Sequence, residues 1–177
     1  MLNVNNSLFI FIDIQEKLVK MLKNREEILK NNVILAKTAK ILQIPLIITE
    51  QYPKGLGQTI PELNGYSGCV IEKSAFSALT DTELKTKLDF YGRKKIILTG
   101  IESHICVYQT AITLLNEGFE VFVVKNATSS RKSKDYKTSL ELMHDYGAKL
   151  TCVETVLFEL LESSKHPNFK EIQALIK

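Results

Sequence analysis

Three residues of different chemistry stand just past three apolar runs of the chain. Asp13 closes LFIFID, Lys73 closes CVIEK, and Cys106 follows KIILTG by way of IESHIC. A carboxylate, an amine and a thiol are the parts that nucleophilic acyl transfer needs: the acid takes the thiol proton, the sulfur attacks a carbonyl, and the amine balances the charge. Cys106 is placed to open a helix, where free N–H groups and the helix dipole are expected to favour thiolate over thiol, and Lys73 pushes the same way. The same N–H groups can hold the oxyanion of a tetrahedral intermediate. Taken singly, each residue has an ordinary explanation: an Asp at a strand end forms turns or caps, a Lys after a strand is solvated, and a lone Cys is a small buried hydrophobe. Their shared rim is what unites them, because ligands of open α/β sheets bind beyond the carboxyl ends of the strands.

Six short apolar runs must supply those strand ends: LFIFIDI from Leu8, PLIITE from Pro45, CVIEK from Cys69, KIILTG from Lys95, VFVVKN from Val121 and AKLTCV from Ala148. Their continuous apolar character suits strands covered on both faces. Helical patterns lie between them, among them Glu26 to Leu42 and Thr110 to Glu117. Parallel strands need crossover connections, usually helices. The expected fold is therefore α/β, a three-layer αβα sandwich around a six-stranded, mainly parallel, doubly wound (Rossmann-like) sheet, in a single domain over residues 1–177. The longest irregular stretch, 51–68, carries Pro53, Gly55, Gly57, Pro61, Gly65 and Gly68, and a loop of that length in a small domain is more often functional than idle.

Composition narrows the partners. Twenty-three basic and twenty acidic residues leave a net charge of +3, scattered along the chain, so nucleic acid and anionic membranes are not expected partners. Cys69, Cys106 and Cys152 form no CxxC pair and are odd in number, which fits a reducing compartment, and no basic leader precedes the first apolar run. The expectation is a cytoplasmic protein acting on a small molecule.

The strings IFIDIQEKL, TEQYPKGLGQTIPEL, IEKSAFSAL, LTGIESHICVYQTA and NATSSR occur in this order along the chain. They resemble the isochorismatase-like cysteine hydrolases, and within that superfamily the small isochorismatase domain-containing proteins. The resemblance implies a catalytic triad of Asp13, Lys73 and Cys106. It also implies a cis peptide between Ile101 and Glu102, an oxyanion hole from the Glu102 and Cys106 N–H groups, and assembly into a dimer or larger homo-oligomer. Similar nicotinamidases bind a metal through an Asp-x-His pair and a further His after the second strand. Here that stretch reads TEQYPKGLG with no histidine, so neither a catalytic metal nor another cofactor is expected. Having Cys106 at the nucleophile position argues against vinyl-ether hydrolysis, and Asn126 stands where many relatives have an Asp.

Gln15, Tyr52 and Phe76 are the candidates for lining a substrate pocket, by their closeness to Asp13, the glycine-rich loop and Lys73. His104 lies two residues before Cys106, but adjacent turn residues diverge, so a Cys-His dyad is not expected. Cys69 and Cys152 fall within expected strands and read as core. A binding protein without turnover, or a redox-sensing thiol, would keep the same fold with a different use of Cys106.

Overall fold

Strands and helices alternate through the whole of the computed structural model, which describes residues 1–177. The order is β1 (Ser7–Ile12), α1 (Glu16–Val19), α2 (Arg25–Ile41), β2 (Leu46–Gln51), α3 (Pro53–Leu56), β3 (Cys69–Lys73), α4 (Thr82–Tyr91) and β4 (Lys95–Ile101). There follow a π-helical turn at Ser103–Val107, α5 (Tyr108–Asn116), β5 (Glu120–Ser129), α6 (Ser133–Asp145), β6 (Lys149–Thr151), α7 (Val153–Leu161) and α8 (Phe169–Ala174).

The apolar runs become strands because both of their faces are covered. In β1 every residue is buried. Phe9 and Phe11 point into one core with α2, α7 and α8, whereas Leu8, Ile10 and Ile12 point into the other with α4, α5 and α6. That is the period-2 alternation of a strand with an apolar partner on each side. α2 carries Glu26 and Glu27 in its first turn and Lys40 in its last, in accord with its dipole. Asn32 is fully buried in the middle of that helix. Its Nδ2 donates to the carbonyls of Ile28 and Ala127, both at 2.8 Å, and its Oδ1 accepts from Thr99 Oγ1 at 2.6 Å. A buried amide is tolerated there because all of this polar capacity is used, and it ties α2 to β4 and β5.

All six strands are parallel, in the order β3-β2-β1-β4-β5-β6. The chain winds outward from β1 to β3, returns to β4 beside β1, and winds outward again to β6. The carboxyl ends of β1 and β4 thus border the crevice where the winding reverses, which is where such sheets bind ligands. The outer strands differ from the sequence expectation. β6 stops at Thr151, so Cys152 precedes α7 rather than lying in a strand, and both it and Cys69 on β3 are only half-buried. Cys69 packs against the core from a half-buried position on an edge strand, whereas Cys152 lies outside the strand at the opposite edge, where cover is incomplete. No helix is long and apolar enough to cross a membrane.

Gly100 permits the closest approach across the crevice. Its φ is +134°, and a Cβ built there would stand 2.1 Å from the carbonyl oxygen of Ile12. The opposing atom is backbone and cannot move aside without displacing β1. Gly118, at φ +81°, has open space around its would-be Cβ. We expect Gly100→Ala to lower the unfolding free energy by about 2 kcal/mol or more in urea denaturation, since strain and overpacking add. Gly118→Ala should cost only about 1 kcal/mol. Equal losses would show that the β1–β4 contact does not require glycine.

Candidate active site

Asp13 is the first residue beyond β1 and adopts a left-handed backbone, φ 52°. Asp is one of the few residues that tolerates this region. Its N–H still donates to Thr49 O at 3.2 Å and its carbonyl accepts from Gln15 N at 2.8 Å. The carboxylate is fully buried. Oδ1 accepts from Thr49 Oγ1 at 2.6 Å and Oδ2 from Lys73 Nζ at 2.7 Å, neither side chain of the ion pair being exposed. Lys73, the last residue of β3, thus reaches across the end of β2 to β1. Its Nζ also donates to Gln51 Oε1 at 2.6 Å and lies 3.3 Å from Ala75 O and 3.4 Å from Phe76 O.

Cys106 lies in the π-helical turn that leads into α5, 7% exposed. Its Sγ is 4.0 Å from Gln51 Oε1, the same oxygen that accepts from Lys73 Nζ. Burial pushes the Cys106 thiol up to about 12; the Asp13 charge adds to this, while Lys73 opposes it. This direction is opposite to the bias expected from the helix start and Lys73, because desolvation and a nearby carboxylate outweigh the amine.

Of the three pocket candidates, Tyr52 lines a cleft of about 360 Å³ together with Pro53, Lys54, Glu72, Lys73, Ser74 and Asp81. Tyr52 is 61% exposed, and its ring lies so close over Gly55 that a Cβ there would meet it at 2.2 Å. Phe76 lies outside that cleft and offers Lys73 only its carbonyl. Gln15 lies outside it as well and is fully buried. Its Nε2 donates to the carbonyls of Gln51 and Gly57, at 3.1 and 2.6 Å, and its Oε1 accepts from Gln51 N at 2.8 Å. Gln15 braces the loop after β2. Glu50 of β2 accepts from Thr59 N and Oγ1 of that loop at 2.6 and 2.7 Å. No three His, Cys, Asp or Glu side chains converge as a metal-ligand group. Asn126 accepts from Val153 N at 3.0 Å, a role at the start of α7 that needs no charge.

The peptide bond between Ile101 and Glu102 is cis. The Glu102 carbonyl accepts from Ile105 N and Val107 N at 3.1 and 3.3 Å, while its N–H donates to no backbone or side-chain acceptor. His104 points away from the thiol, its Nδ1 2.9 Å from Ser130 Oγ and 3.3 Å from Glu102 Oε2. Thr49 and Gln51 were not among the sequence candidates, although the rule that selects residues at strand ends selects them too: they alternate on one side of β2, at its carboxyl end.

A six-stranded all-parallel sheet with helices on both faces, its winding reversing between β1 and β4, defines a doubly wound αβα scaffold. Residues 7–155 match the family model described as Isochorismatase domain, and the chain belongs to the isochorismatase family of hydrolases. It is 41% identical to isochorismatase domain-containing protein 2 of Xenopus laevis, over 99% of this chain and 85% of that one. Isochorismatase domain-containing protein 1 of Danio rerio is 40% identical over 97% of this chain and 61% of its own. Among solved structures, the MAR1 ribonuclease of Caenorhabditis elegans superposes with a TM-score of 0.94 at 39% identity, covering 99% of this chain and 91% of that one. The YcaC product of Escherichia coli, described as an octameric hydrolase of unknown specificity, shares the fold at 22% identity and a TM-score of 0.89, covering 98% and 94%.

A raised thiol pKa fixes the sign of the pH dependence of alkylation. The reactive thiolate is scarcer at neutral pH than in an exposed cysteine, whose pKa is about 8.5. Iodoacetamide labelling of Cys106, followed by peptide mapping, should be slow near neutrality and keep rising beyond about pH 10. Lys73→Ala should slow it further, because Lys73 opposes the rise. A plateau below about pH 8 would contradict a protonated resting sulfur.

Proposed function

We propose that the protein is a cofactor-free cysteine hydrolase that cleaves a C–N bond in a small amide-type substrate. The observation that carries this reading is the buried Lys73–Asp13 pair, with Gln51 linking its amine to the Cys106 sulfur. As the substrate carbonyl approaches, the Cys106 S–H proton passes to Asp13 and the sulfur bonds to the carbonyl carbon. A protonated resting thiol supports this order, since the proton need leave only when the new bond forms. The Glu102 and Cys106 N–H groups hold the oxygen, which gains negative charge. Collapse breaks the C–N bond, Asp13 returns the proton to the leaving amine, and a thioester remains. Water then gives a proton to Asp13 and its oxygen to the acyl carbon, and the departing sulfur recovers the proton.

Lys73 keeps the site near neutrality through the cycle. Three free cysteines support a reducing compartment as the place of action. The ribonuclease name of one structural neighbour is not carried over, because a net charge of +3 scattered along the chain gives no basic track for a strand. Exposed Tyr52, Val70 and Phe76 near the strand ends of β2 and β3 support assembly into a homo-oligomer, which light scattering after gel filtration should register as a mass of at least two chains; a monomer would remove that part of the reading.

The test is turnover of a panel of small amides, with formation of the acyl-enzyme read by intact mass. Cys106→Ala should abolish both. Asp13→Asn should lower the rate about 10²- to 10⁴-fold, as loss of a positioned general base does. Full activity of Cys106→Ala on a substrate that the unaltered protein turns over would sink the mechanism.

A further inference from the structure

Glu102 carries a buried carboxylate that the proposed reaction does not use. Its side chain is 7% exposed, and a charge taken from water needs compensation. The compensation comes from the β5–α6 junction and from the turn itself. Oε2 accepts from Arg131 N at 3.3 Å and lies 3.3 Å from His104 Nδ1, and Oε1 lies 3.7 Å from Arg131 Nε. His104 is fixed in turn by Ser130 Oγ, 2.9 Å from Nδ1, with Asp135 Oδ2 3.9 Å from Nε2. Ser103 Oγ meets Ser130 Oγ at 2.6 Å and Ser139 Oγ at 2.8 Å, so the first residues after β4 are bonded at three successive positions to the next crossover.

Ser130, His104 and Asp135 resemble a second nucleophilic triad, but the geometry does not support one. Ser130 is 6% exposed and its hydroxyl is already engaged by Ser103, while the His104–Asp135 separation exceeds a hydrogen bond. What the cluster does reach is residue 102. Its carboxylate is clamped from outside and its carbonyl is held by the helix, while its N–H alone has no protein acceptor.

We propose that His104 and the Glu102 carboxylate are positioning residues: their clamp to Arg131 and Ser130 fixes the direction of the Glu102 N–H and so sets the strength of the oxyanion hole. This rests on the cysteine-hydrolase reading above. The clamp makes residue 102 a rigid donor although it lies between a strand and a helix, where a free backbone would otherwise reorient as charge develops. A donor that need not reorganise is what gives an oxyanion hole its effect.

Two reagents that attack the same sulfur separate positioning from mere structure. p-Nitrophenyl acetate acylates Cys106 through a tetrahedral intermediate and draws on the oxyanion hole. Iodoacetamide reacts by displacement at a saturated carbon and does not. His104→Ala should slow acetylation of Cys106 about 10- to 100-fold, the size of effect that misplacing a reacting group brings. Alkylation should stay within about twofold, since the thiol keeps its surroundings. His104→Asn, whose amide can donate where Nδ1 does, should recover most of the acetylation rate. Equal slowing of both reactions, or unchanged acetylation in His104→Ala, overturns the clamp. Release of p-nitrophenol at the unaltered rate by Cys106→Ala overturns the nucleophile on which the clamp depends, so that control tells the two failures apart.

Discussion

Lys73 donates to Asp13 over 2.7 Å with both side chains out of water, and the rest of the site is arranged around that bond. Burying such a pair brings little net stability, since desolvation offsets most of the attraction, yet removing one partner leaves a buried charge at a cost of about 3–5 kcal/mol. The pair therefore acts as a constraint more than as an adhesive. It forces the ends of β1 and β3 to a fixed separation, with β2 between them. Thr49 and Gln51 of β2 are then obliged to turn inward and satisfy what the two charges leave over. Those two bonds give the middle strand a polar end.

The same constraint explains why the thiol pKa is pushed up. A carboxylate already saturated by an amine and a hydroxyl still lies close enough to repel a second negative charge, and burial adds to that repulsion. A thiolate would be stable only if the amine were free to serve it alone. In the proposed reaction, because the amine is shared, a proton and a base would stand side by side until the substrate carbonyl arrives. Such a thiol is also less open to oxidation at rest, which weakens the case for a redox sensor.

Much of this was legible in the chain. Continuous runs such as LFIFID and KIILTG mark strands covered on both sides, and the residues at or beyond their ends mark the rim, which is where Asp13, Lys73 and Cys106 lie. The rest was hidden for physical reasons. Gln51 and Thr49 look like ordinary strand-end polars, and only the parallel register of β1, β2 and β3 turns them toward Asp13 and Lys73. Gln15 is a near neighbour of Asp13 in sequence, but the left-handed turn at Asp13 sends it into the loop after β2. The sign of the Cys106 shift depends on burial and on distances that no linear pattern contains. Cys152 was misread because a run of β-prone residues does not say where an outer strand loses its partner.

Placing the amine on β3 has a cost of another kind. β3 is the outermost strand, paired on one side only, and five residues long. Outer strands open by local fluctuation well before a domain melts, with free energies far below that of global unfolding. Each such opening would carry Lys73 away from Asp13 while β1 and β4 stay zipped, leaving a folded protein without its buried ion pair. On the proposed mechanism, the lifetime of the armed state would then be set by the hold on one sheet edge, and whatever covers that edge would act on the chemistry without touching the thiol.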